Sequence, residues 1–135
     1  MKKQATVEIF REGHWWAAAT ITPADLAAGH NGACRMEYLL DYACEHIDDP
    51  QAVKAGVSCR YPVDFDLHDE QSWPAFLLDI LPGGAGRAHW LKRLEIADED
   101  AADWPLLLRG TAFPPGNLRI REAVDARSTD TIPSL

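Results

Sequence analysis

One proline and three glycines fall within six residues, Pro82-Gly83-Gly84-Ala85-Gly86-Arg87, and break the apolar stretch from Trp73 to Leu94 into two pieces. Pro82 removes a backbone donor and drives Leu81 out of helical angles, while the glycines accept angles that a Cβ resists. The pattern predicts a short helix carrying Phe76, Leu77, Leu78, Ile80 and Leu81, then a corner. A second helix follows, with Ala88, Leu91 and Leu94 three residues apart and Trp90 and Leu94 four apart. On this reading Leu78, Leu81, Trp90 and Leu94 face the rest of the domain, and Arg87, Lys92 and Arg93 point outward. The GGAGR run lacks the Lys and Ser/Thr of a phosphate-binding loop, and no further glycine completes a dinucleotide fingerprint. It reads as a helix-turn-helix corner.

The flanking sequence is organised around short strands. Ala5 to Ile21 predicts a hairpin in which Val7 and Ile9 share a face and Arg11, Glu12 and Gly13 turn the chain. The adjacent Trp15 and Trp16 must then point to opposite faces. Thr22, Pro23 and Asp25 mark a brief helical connector limited by Gly29 and Gly32. CRMEY (34–38) alternates as a strand, and LLDYACEHI has helical spacing as well. VSCRYPV (57–63) reads as a further strand, with Pro62 near its end. DFDLHDE reads as a solvated edge beside it, so Asp64 and Asp66 are not taken as paired catalytic carboxylates. Asp103-Trp104-Pro105 opens a short leucine helix that ends at Gly110, and GNLRI closes the sheet.

The expected fold is α+β: a mainly antiparallel sheet from residues near 6–10, 15–21, 34–39, 57–62 and 117–121, with helices of the 75–94 and 104–109 regions packed on one face. Residues 1–124 form the domain, and 125–135, where the apolar period fades, read as a linker or disordered tail.

A net charge of −8 argues against nucleic acid as the direct partner, since such binding rests on clustered Lys and Arg. No window approaches a membrane span and the first residues have no apolar signal-peptide core, so a cytoplasmic location is expected. Cys34, Cys44 and Cys59 are odd in number and lack CxxC spacing, which points to free, mostly packed thiols. No cofactor, metal or catalytic residue is called for. A small enzyme would draw its base from His14, His30, His46, His68 or His89 and a nucleophile from Cys59 beside Ser58, but no spacing links the two roles. An acidic protein-binding module, or an acidic mimic of nucleic acid, is the other alternative, supported by charge alone.

The chain order from the hairpin through Tyr38 and Tyr42, VSCRYPV, FLLDILPGG, GRAHWLKRLEI, DWPLLLRG and GNLRI resembles the N-terminal subdomain of HipA-family proteins, the kinase toxins of bacterial toxin-antitoxin systems. The similarity runs from about Val7 to Ile120 and is most specific at Ile80-Leu81-Pro82-Gly83-Gly84 and Arg87. The family turn usually has Glu after the proline, where this chain has Gly83. A glycine- and acid-rich passage of the family is replaced by Thr111-Ala112-Phe113-Pro114-Pro115.

The resemblance implies a non-catalytic regulatory domain. In the family, nucleotide, magnesium and the catalytic aspartate belong to a larger C-terminal portion, and no kinase catalytic loop is found in these 135 residues. The implied partner is a HipA-like kinase core, in cis if this is the front of a longer protein or in trans if it is a separate small partner. A DNA-binding antitoxin would be reached only through that complex. The expected docking surface is the Pro82, Gly83, Gly84, Gly86 and Arg87 corner with an exposed tryptophan as anchor, Trp73, Trp15 or Trp16.

Overall fold

The computed structural model describes residues 3–48, 55–112 and 116–131, with side chains up to residue 127. Five antiparallel strands form one sheet: β1 (Ala5–Arg11), β2 (His14–Pro23), β3 (Cys34–Tyr38), β4 (Leu67–Glu70) and β5 (Leu118–Ile120), in the order β4-β3-β2-β1-β5. Among the described residues the helices are α1 (Leu40–His46), α2 (Ala75–Ile80), α3 (Gly84–Leu94), α4 (Asp103–Arg109) and α5 (Arg121–Thr131), with 3-10 segments at Leu26–Asn31, kinked at Gly29, and at Asp100–Ala102. The fold is α+β.

Alternation sets the core face of the sheet. Ala5, Val7 and Ile9 of β1, Ile21 of β2, Met36 of β3 and Ile120 of β5 are all inaccessible to solvent. A bulge in β2 opposite Val7 and Glu8 shifts the phase by one residue, because Val7 pairs with Ala19 but Glu8 with Ala17. The extra residue, Ala18, is buried and its carbonyl accepts the Leu39 N–H at 2.8 Å. The shift decides the fate of the tryptophan pair. Trp16 turns to the core side against Tyr42 and His46, and Trp15 goes to the outer face against Phe10 and beneath Arg119.

Residues 57–62 are not a strand. The hydroxyls of Tyr38 and Tyr42, on β3 and α1, capture this segment's backbone. Tyr38 accepts the Val57 N–H at 2.9 Å and donates to the Tyr61 carbonyl, and Tyr42 donates to the Ala55 carbonyl at 2.6 Å. With its backbone groups bonded to side chains, the segment folds into a tight turn closed by an isolated Ser58–Tyr61 bridge. Burial pushes the Tyr38 phenol upward, so it remains the protonated donor this role requires. The fourth strand is supplied instead by LHDE, read above as a solvated edge beside a strand. Its exposed Asp69 takes a forked pair from Arg35 across the β3–β4 ladder.

The face of the central helix pair also differs from the expected one. Phe76 and Leu77 of α2 are buried, whereas Leu78 is 41% exposed and Leu81 only partly covered. In α3 no residue is fully buried, and Trp90 and Leu94 are half-covered. The dominant core helix is α4, whose Trp104, Leu106 and Leu107 are inaccessible. Trp73 is buried edge-on to Trp104, with ring centres 6.2 Å apart. Of the cysteines only Cys34 is packed, and burial raises its thiol to about 11; Cys44 and Cys59 are exposed.

Helix α5 begins directly after β5, and its backbone stays helical through Thr131 where the sequence reading has a linker from residue 125. Ala123 is buried, and Glu122 accepts both the backbone N–H (2.7 Å) and the hydroxyl (3.0 Å) of Thr6, capping β1 where β5 no longer pairs with it. The buried Glu8 carboxylate takes Arg119 at 2.7 Å and Arg121 at 3.0 Å, which ties β1 to β5 and to the start of α5. The Phe113-Pro114-Pro115 part of the expected turn lies outside the described residues, as does 132–135 of the expected tail.

Leu77→Ala should lower the unfolding free energy by about 2–5 kcal/mol, as for a buried large-to-small change. Leu94→Ala, on the half-exposed helix, should lower it by about 1 kcal/mol or less. Urea unfolding of the two variants checks both values.

Candidate functional site

The predicted corner exists. Leu81 is extended as a residue before proline should be, α2 stops at Ile80, and α3 starts at Gly84. Gly84 has a φ of +53°, a left-handed angle that suits glycine, and a Cβ at Gly83 or Gly84 would meet nothing within 4 Å. The glycine backbone therefore looks outward into open space rather than being wedged against its own domain. The close approach lies one step away at Gly110, the end of α4. There a Cβ would sit 2.9 Å from the Pro82 ring and 3.3 Å from Trp90, so Gly110 lets the corner rest on α4.

Arg87 does not point outward. Its guanidinium folds back to Asp98, at 3.0 Å, and to Asp103 at 3.2 Å. Asp103 opens α4, but its side chain does not cap the helix. One carboxylate oxygen receives Arg87, and the other receives both the His30 backbone N–H (2.9 Å) and His30 Nδ1 (2.6 Å). An ionised Asp103 only accepts, so Nδ1 carries the proton, and His30 is one of the residues that line the adjoining groove. The His30 carbonyl in turn accepts the Trp73 N–H at 3.0 Å. Gly29, immediately before, has a φ of +58°, and a Cβ there would collide with the Asp100 carbonyl at 2.1 Å and with Asp103 at 2.6 Å. Only glycine lets the 3-10 connector approach this closely.

The electrostatics follow from that geometry. Burial opposes the charged form of Asp103, yet the hydrogen bonds from His30 and Arg87 outweigh it and hold its carboxyl below the ordinary 3.8. Burial likewise opposes the Arg87 charge, and Asp98 and Asp103 more than restore it, so its pKa is raised.

The structure thus brings Pro82, Gly83 and Arg87 of the expected surface together with His30 and Asp103, around a groove of about 380 Å³. Gly84 and Gly86 are exposed on the first turn of α3 beside it. Trp73 does not belong to this surface: it is 3% exposed and acts as core under Trp104. Sequence reasoning named His30 only as one of five histidines and Asp103 only as a helix start, and missed that the two meet each other beside Arg87. Their signal was faint, a Gly-His pair in a connector and an acid placed inside a helix start where capping was the simpler reading.

The remaining histidines are engaged elsewhere. His46 is buried against Trp16 and Tyr42, His14 lies on Trp16, His68 pairs with Asp64 at 3.0 Å, and His89 lies edge-on to Trp90. Among the described residues no group of three or more His, Cys, Asp or Glu side chains is placed to hold a metal ion, and no helix is long and apolar enough to cross a membrane. No protein-family model matches the chain, and no curated protein matches it.

A carboxyl whose folded pKa is depressed stabilises the protein above the unfolded value, and that contribution is lost as pH falls through the folded value. Asp103→Asn should therefore destabilise the protein at neutral pH by about 1.5–3 kcal/mol, the range for hydrogen bonds to a charged group. The variant should also lose less stability than wild type between about pH 5 and about pH 2. Thermal unfolding across that range checks the sign.

Proposed function

We propose that the chain is a non-catalytic interaction domain that docks on a HipA-like kinase core, in cis or in trans, in the bacterial cytoplasm, and regulates that kinase. The observation that carries this reading is that α3 is displayed rather than buried. An eleven-residue helix with no fully buried side chain is marginal by itself in water. Here Arg87 ties it to Asp103, and Trp90 and Pro82 rest on Gly110, while Ala85, Gly86 and Ala88 stay exposed, and the exposed Leu78 lines the groove together with Pro82 and Gly83. A helix held at a few points, with an apolar side chain and accessible backbone next to it, suits contact with another protein surface. The resemblance of Ile80–Gly84 and Arg87 to the HipA-family turn supplies the identity of the partner.

One observation favours an enzyme: His30 is oriented by Asp103 as a general base would be, and it lines a groove. The groove's lining, however, offers no Ser, Thr or Cys to activate, and Ser58 and Cys59 belong to the tyrosine-pinned turn.

Co-expression with the kinase portion encoded at the same locus tests the proposal. Wild type should co-purify with the kinase. Leu78→Lys should weaken the complex by roughly tenfold or more, the scale of one lost interface anchor, while leaving the melting temperature of the domain unchanged. A complex indifferent to both Leu78→Lys and Ala88→Glu rejects this surface, and absence of any complex rejects the regulatory reading.

A further inference from the structure

The groove beside the corner has two kinds of lining. Leu78, Leu81 and Pro82 are apolar, and Asp98, Glu99 and Asp100 are acidic. Arg87 also lines it, but its guanidinium is directed to Asp98 and the buried Asp103, so its charge is answered from within. The Asp103 oxygens are occupied as well, by Arg87 and by His30. What the groove presents to an incoming group is therefore apolar surface, including a 41% exposed leucine, together with three solvent-exposed acidic residues.

We propose that this groove receives a basic side chain, arginine or lysine, from the partner that docks on the corner. The inference deepens the docking role proposed above and rests on it. An acidic side chain would meet three carboxylates of its own sign, and a purely apolar one would strip water from them without replacing it. A basic side chain satisfies both kinds of lining: its methylene stem packs on Leu78, Leu81 and Pro82, and its cationic head pairs with the acids. Asp98 uses one oxygen for Arg87, and Asp100 makes only a long contact, 3.4 Å, to Asn31. Both acids thus retain acceptor capacity, as a charge-assisted contact requires.

The test uses the full isotope-labelled chain and two capped peptides, Ala-Leu-Arg-Leu-Ala and the same peptide with Gln in place of Arg, followed by amide NMR. The Arg peptide should shift the amides of Gly83, Asp98 and Asp100, and the Gln peptide should bind roughly tenfold more weakly or not at all. Glu99→Gln combined with Asp100→Asn leaves the Arg87 ion pairs in place and should reduce the Arg-peptide response to that of the Gln peptide. Equal responses to the two peptides, a response unchanged by the double substitution, or no response at these amides overturns the inference. The same double variant is then tested for association with the kinase portion. Kinase binding that the substitutions leave unchanged overturns the basic-side-chain inference but not docking. Peptide discrimination without any kinase binding overturns docking on the kinase but not the groove's preference.

Discussion

The carboxylate of Asp103 holds together three segments that no strand pairing connects. A buried carboxylate is unfavourable unless its oxygens are answered, and this one is answered by the connector after β2 through His30 and by the first turns of α3 through Arg87. His30 and Asp103 are 73 residues apart in the chain. The contact is possible because Gly29 has no Cβ to strike the Asp100 carbonyl. Asp103 itself opens α4, whose Trp104 and Leu107 belong to the same buried cluster as Val7, Ile9, Ile21 and Met36, so the clamp is anchored to the core of the domain.

That arrangement divides the labour among the helices. The core is filled by α4, by Phe76 and Leu77 of α2, and by the tyrosines of β3 and α1. Because these suffice, α3 is free to keep its side chains at the surface, held by ion pairs at one end and by the Pro82–Gly110–Trp90 packing along its length. A second buried carboxylate, Glu8, does for the C-terminal part what Asp103 does for the corner, joining β1 to Arg119 and Arg121. Specific polar contacts thus position the peripheral elements around a conventional apolar interior.

Much of this was legible from residue order. The hairpin, the CRMEY strand, the proline-glycine corner, the leucine helix ending at Gly110 and the closing strand all follow from local turn chemistry and periodicity, which act over a few residues. The misreadings arise where a distant group overrides the local pattern. VSCRYPV has the alternation of a strand, but Tyr38 and Tyr42 claim its backbone, and nothing near 57–63 announces that. Arg87 lies on the polar side of its helix by spacing, yet a buried acid sixteen residues on turns it inward. Trp73, which adjoins the corner in sequence, is drawn under Trp104, so the surface around Pro82–Arg87 has Leu78 rather than a tryptophan as its exposed apolar group. The corner itself could therefore be named from the chain, whereas the pairing of His30 with Asp103 could not, because it is a contact between remote segments.

If Asp103 is what positions the corner, its loss should loosen α3 selectively. Native-state hydrogen exchange on Asp103→Ala measures this directly, since it reports local opening separately from global unfolding. The expected result is faster exchange through α3 and the Leu26–Asn31 turn, with β1, β2 and β3 remaining protected. Protection in α3 equal to wild type, or a uniform fall across sheet and helix alike, would contradict the account.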